Sequence, residues 1–244
     1  MAGDLTISTI NGGAIGAKNT IINGNFGINQ RGVSGTVTLS AGDYGHDRWK
    51  AGASGCTYTF ATSNNVTTIT ITAGSLMQVI EGINLQSGTH TLSWAGTAQG
   101  RVDAGSYGDS GLTGTAVGGT NQTVEFGTGT VSLVQYEAGS VATPFEHRQY
   151  GQELALCQRY YETGGVFYSG SVTAGVTYYT DSPFVVTKRA NPSCTFTSNG
   201  GLGFTAGQGS VNTTDTYRVR LQESCDGTST GGYFTGSFTA SAEL

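Results

Sequence analysis

The residues best suited to bind a ligand stand in two loops. In VDAGSYGDSG, residues 102–111, Asp103 and Asp109 bracket Tyr107 among glycines and serines. A tyrosine ring set among small residues can stack on the C–H face of a sugar, and loops on a rigid scaffold are where binding residues concentrate. The flanking carboxylates could accept sugar hydroxyls. With backbone carbonyls they could also hold Ca²⁺, a hard cation that takes oxygen ligands. Two solvated loop carboxylates are the plainer alternative. Tyr44, in AGDYGHDRW, is a second candidate for a stacking surface. Trp49 ends the Asp47-Arg48-Trp49 run of the same loop and could also stack on a sugar. We expect it to pack inward, with Asp47 and Arg48 pairing across the strand ends. The expected glycan-binding set is Tyr44, Tyr107, Asp103 and Asp109.

No catalytic constellation accompanies them. Sixteen acidic residues are scattered, and no two form a motif. Glycosidase carboxylates are set by space rather than sequence, so convergence of distant strands stays open. His46, His90 and His147 lack both H-x-x-x-H spacing and a nucleophile elbow. The glycine-rich GTAVGGTNQ has no following Lys-Ser/Thr and reads as turns. Cys56, Cys157, Cys194 and Cys225 form no CxxC pair, which argues against zinc. They read as small buried hydrophobes in a reducing compartment, with a Cys194–Cys225 disulfide as the alternative. No enzyme activity is expected, and no cofactor beyond a structural Ca²⁺.

The composition says what must hold these loops. Among 244 residues are 40 glycines but only 3 prolines, and charged residues make up 11%. Serine, threonine, asparagine and glutamine fill the polar positions, which suits short strands with tight turns. Twelve tyrosines and ten phenylalanines supply core material, so the glycine content does not mean disorder. The net charge of −5 and the lack of a basic run argue against a nucleic-acid surface. No apolar stretch reaches the roughly 18 residues of a membrane span. MAGDLTISTINGG lacks the basic and apolar regions of a secretory signal, so synthesis and folding in a cytosol are expected.

Residues 1–18 read as an arm, either frayed or ordered against a partner. Residues 19–147 hold about eight alternating runs at the turn spacing of a two-sheet sandwich. In THTLSWAG, His90, Leu92 and Trp94 share the face expected in the core. Val131, Leu133 and Gln135 alternate with Ser132, Val134 and Tyr136 in the closing strand. Residues 148–165 read as a linker with one helix over 150–162. Leu154, Cys157 and Tyr161 are its apolar stripe, and Gly164-Gly165 its end. Residues 166–244 form a smaller β domain. The fold class is mostly β: an N-terminal β-sandwich and a smaller C-terminal β domain joined by one short helix.

Three stretches carry a resemblance. EAGSVATPFEHR followed by YGQELALCQRYYE resembles a segment that recurs in tail-fibre and other virion proteins of tailed bacteriophages. INGNF…QRG, the D-R-W box and Gln78-x-Ile80-Glu81 resemble the carbohydrate-binding-module-like jelly rolls of phage structural proteins. FVVTKRANPSCTF resembles the F-x-V-x-x-R-x-x-P element of phage fibre C-termini, and the final SAEL fits the same group. Lys188 departs from that element, where an apolar residue is usual. The resemblance implies a non-enzymatic virion protein assembled in the bacterial cytoplasm. The expected role is a tail-fibre or receptor-binding component that displays a glycan-binding-like jelly roll for host attachment. The alternative is a capsid decoration or head-fibre protein that binds no ligand. A glycan-degrading enzyme is the weaker third reading, because phage depolymerases are usually built on a long β-helix. A second unit this small and charge-poor needs a partner to cover its sheet, which, with the fibre-like resemblance, predicts a homotrimer. The other expected partners are virion proteins and a host cell-surface glycan, with neither nucleic acid nor membrane insertion.

Overall fold

A computed structural model describes residues 18–244 and, before them, only the backbone of β1 (Thr9–Ile10) and β2 (Gly13–Ala14), which pair antiparallel. The arm expected over residues 1–18 thus falls, apart from Lys18 and these two short strands, outside the described residues. The rest is mostly β with one α-helix among the described residues. It divides into two compact units, Met1–Glu153 with Leu244, and Leu154–Glu243. The expected class, a β-sandwich, a short helix and a smaller β domain, is the one observed.

In the first unit the strands are β3 (Val37–Leu39), β4 (Lys50–Ser63), β5 (Val66–Ile80), β6 (Gly88–Ala95), β7 (Gly100–Val102), β8 (Leu112–Ala116), β9 (Gln122–Phe126) and β10 (Gly129–Ala138). β3, β4 and β5 pair in order, and β9 and then β7 extend the C-terminal half of β5. β10 links this sheet to a second one. Its first residues pair with β5 and its last with β6, which carries β8 on its other side. The switch occurs at a bulge between Ser132 and Gln135, where Leu133 takes a φ of 50°. The extra residue shifts the strand's phase. The simple alternation expected from the sequence is therefore lost, and Val131, Val134 and Tyr136 face the core. Gly24 lies against this bulge, because a Cβ there would stand 2.2 Å from the Val134 carbonyl oxygen.

The sandwich core joins Trp49, Tyr58, Leu92, Trp94, Phe126 and Tyr136 with aliphatic residues of both sheets. Trp49 is fully buried beside Phe26 and donates to the Asn23 carbonyl at 2.9 Å. Asp47 accepts from the Gln30 backbone at 3.0 Å and from Arg31 at 3.5 Å, while Arg48 donates to the Val79 carbonyl. The D-R-W run is thus part of the core and its rim. Gln78 accepts from and donates to the Ile22 backbone, as a strand neighbour would.

The segment that carries the phage resemblance forms a polar clasp on residues 18–23. Glu137 accepts from the Thr143 N–H and hydroxyl, and Glu146 from the Lys18 and Asn19 N–H groups. Arg148 donates to the Asn19 and Ile21 carbonyls and pairs with Glu153. Burial opposes ionisation of Glu137. The Thr143 and Gln135 donors outweigh it and hold that carboxyl below its ordinary value.

The helix, α1 (Tyr150–Gln158), is shorter than expected. Its buried residues are Glu153 and Cys157, followed by Tyr160, not Leu154, Cys157 and Tyr161. Tyr161 already begins β11 (Tyr161–Val172), and Gly164-Gly165 lies within that strand. Gly164 serves packing rather than termination, since a Cβ there would meet the Phe238 ring at 2.4 Å.

The second unit adds β12 (Thr177–Pro183), β13 (Ser193–Gly200), β14 (Ser210–Thr214), β15 (Arg218–Ser224) and β16 (Ser229–Ser241). They form two three-stranded sheets, β11-β16-β13 and β12-β15-β14. Phe184, Val219, Leu221 and Phe238 make one core cluster, and Val172, Phe204, Cys225 and Phe234 another. Lys188, the departure from the fibre element, is buried and bound to Glu162 at 2.5 Å. All four cysteines are free thiols.

Candidate functional site

The loop after β7 is held rigidly. Gly100 and Gly108 exchange backbone hydrogen bonds at 2.9 and 2.8 Å, which closes residues 101–107 into a small lobe. Gly100 is required by close approach, because a Cβ would lie 2.9 Å from both Trp94 and Phe126. Asp103 turns the chain with a φ of 50°, and its carboxylate accepts from the Thr123 N–H at 2.8 Å and the Gln122 amide at 3.2 Å.

This lobe presents Asp103 and Tyr107 to two different hollows. One, of about 380 Å³, is lined by Tyr107 with Thr97, Gln99, Gly127 and Thr128. The other, of about 310 Å³, is lined by Val102 and Leu112 together with Asp103, Ser106, Thr113 and Gln122. Both volumes fall near the lower end of the range of small-molecule sites. Asp109 is exposed and lines neither.

Tyr107 is exposed, at 39%, and Arg101 and Glu125 of the sheet lie beside it. Arg101 on β7 and Glu125 on β9 are direct cross-strand partners. Arg101 donates to Glu125 at 2.9 and 2.6 Å, and its guanidinium lies 4.7 Å from the Tyr107 ring centre. Ser75 completes the set with a 2.5 Å bond to Glu125. Burial, and then the neighbouring Glu125 charge, push the Tyr107 phenol above its ordinary value. Burial opposes ionisation of Glu125, but the Ser75 and Arg101 hydrogen bonds hold its carboxyl below the usual range. The pair cancels its own charge, so the hollow is polar and close to neutral. A ring, an exposed Gln99 amide and threonine hydroxyls can stack on a hydroxyl-rich ligand and exchange hydrogen bonds with it.

Tyr44 lies elsewhere. Its ring has Arg31 5.1 Å and Lys50 5.7 Å from its centre, and its hydroxyl donates to the Leu244 carbonyl. It lines neither hollow, so the four expected residues do not converge on one site. Gln99, Arg101, Glu125 and Ser75 were not in the expected set. Nothing in the sequence aligns Arg101 with Glu125, because their partnership is a matter of strand register.

Among the described residues no group of three or more His, Cys, Asp or Glu side chains is placed to hold a metal ion. His46 is buried, with Nδ1 3.0 Å from the Tyr58 hydroxyl, and burial lowers its pKa to about 4. His90 packs on Tyr136, and His147 on Phe145. No helix among the described residues is long and apolar enough to cross a membrane. Comparison with models of known protein families, with curated proteins and with solved structures finds no match.

Proposed function

We propose that this chain is a non-enzymatic virion structural protein of a tailed bacteriophage, a tail-fibre or receptor-binding component whose first unit binds a host-surface glycan. The observation that carries the glycan reading is the Tyr107 hollow: a supported ring, the Gln99 amide and threonine hydroxyls on a near-neutral surface. Such a surface favours a neutral, hydroxyl-rich ligand over a strongly anionic one. The virion assignment is supported by the resemblance of residues 137–162 and of the D-R-W and Gln78-x-Ile80-Glu81 elements. Several copies on one particle would raise weak single-site binding by avidity.

A second reading, a capsid decoration protein without a ligand, is favoured by the engaged state of Tyr44 and Asp103. Antibody labelling of intact virions separates the two. Label at the tail supports the receptor-binding role, and label over the head supports decoration.

A further inference from the structure

The β11-β16-β13 sheet of the second unit has an outer face without a charged side chain. Its three strands hold one charged residue, Glu162, which is buried and turned inward to Lys188. Register places the outward residues in straight rows. Thr163, Thr239 and Thr195 form one row, and Gly165, Ser237 and Thr197 the next. Beyond them Phe167 and Tyr233 stack with ring centres 6.3 Å apart, at 63% and 41% exposure. The other sheet of this unit is different. Its outward Asp181 binds Arg220 at 2.9 Å and Arg218 at 3.4 Å.

We infer that the Thr163–Ser237–Thr195 face is a self-association surface, covered by the same face of a second copy of this chain. Hydroxyls both donate and accept, and the face carries no charge, so like can meet like without repulsion or an unpaired ion. Flat rows of threonine, serine and glycine let two sheets approach closely. Gly165 leaves open space on the face one outward position from Phe167, with only the Gly236 carbonyl oxygen, 3.9 Å away, near the place of a Cβ. A ring from another copy would fill that space. The size also fits. A face built from the 12-, 13- and 8-residue strands β11, β16 and β13 covers about 520 Å², from strand spacings of about 4.8 Å and a rise of about 3.3 Å per residue. Two such faces bury about 1,000 Å², the least expected of a specific interface. A polar rim with an aromatic anchor is the usual interface pattern, and Phe167 with Tyr233 supplies the anchor.

Such a same-face contact closes as a two-fold pair rather than as the homotrimer expected from the sequence, and it is independent of what Tyr107 binds. The test is sedimentation velocity on the full chain across a micromolar dilution series, for the wild type, Ser237→Glu and a Tyr179→Glu control on the charged sheet. The expected result is a wild-type oligomer, an unchanged control, and at least a tenfold weaker association for Ser237→Glu. Phe167→Ser replaces that variant if it does not fold, since it only trims an exposed ring. A monomeric wild type, association unchanged in both face variants, or equal weakening in the control would each overturn the inference. A monomer that still binds glycan would do so while leaving the Tyr107 reading intact.

Discussion

The Arg101 guanidinium lies 4.7 Å from the centre of the Tyr107 ring while donating twice to Glu125. One ion pair thus fixes the ring and cancels the charge beneath it. The pair is partly buried, with Glu125 only 8% exposed. Arg101→Ala therefore leaves a buried carboxylate with Ser75 as a remaining donor, and costs more than the roughly 0–1 kcal/mol of an exposed pair. Arg101→Ala should lower the melting temperature and weaken glycan binding several-fold. Glycan titration beside a thermal melt checks both.

The same pair sets a pH limit. Glu125 has a folded-state pKa below its ordinary value, so its contribution is present above the ordinary glutamate range and lost as the pH falls through the folded value. Glycan binding should be constant from neutrality down to about pH 4.3, the unperturbed glutamate value, and decline below it. A binding curve that declines already between pH 7 and 5 would contradict this assignment.

Lys188 and Glu162 stabilise the second unit as a buried network. Lys188 also donates to the Gln158 carbonyl at 2.5 Å, and Glu162 accepts the Val185 N–H at 3.0 Å. Removing one partner leaves the other charge buried, which costs about 3–5 kcal/mol. Lys188→Met should therefore be severely destabilising, and adding Glu162→Gln should recover much of the loss. Denaturant melts of the single and double variants decide it.

His46 makes the first unit acid-sensitive. It is buried neutral with a pKa of about 4, against 6.5 for the unperturbed group. The unfolded chain therefore takes up this proton first, and stability falls as the pH drops from about 6.5 to about 4. The full effect is on the order of 3 kcal/mol. His46→Gln should flatten this part of the stability profile.

Glu223 acts in the opposite sense. It is 1% exposed, Ser198 donates to one of its oxygens at 2.6 Å, and the other has no hydrogen-bond partner. Burial raises its pKa. The protonated form is favoured in the fold, so its stability contribution declines as the pH rises from the ordinary glutamate range through the folded value. Glu223→Gln should be more stable than wild type at neutral pH, with the advantage vanishing in acid. Melts at the two pH values test the sign.

Particular residues show what the sequence could reveal. His90, Leu92 and Trp94 are buried as their shared face in the sequence implies, but Thr91 on the opposite face is buried too, with its hydroxyl donating to the Gly139 carbonyl. Val131 to Tyr136 was misread because β10 changes sheets, and a bulge resets its phase. The helix ended early because Glu162 is needed in a strand facing Lys188, a partner 26 residues away. Tyr107 was legible as a loop aromatic among small residues. Its support by Arg101 and Glu125 was not, because cross-strand register leaves no local mark. Tyr44 has the same sequence setting, yet Arg31 and Lys50 flank its ring.

Glycan binding at the Tyr107 hollow is measured by retention of the purified chain on host cells or their isolated surface polysaccharide, with wild type compared with Tyr107→Ala and Gln99→Ala. Single sites of this size should bind weakly, roughly millimolar to micromolar. Wild-type retention should be saturable and fall at least tenfold in Tyr107→Ala and several-fold in Gln99→Ala, with melting temperatures unchanged. Retention by a well-folded Tyr107→Ala variant equal to that of wild type would contradict glycan binding at this hollow.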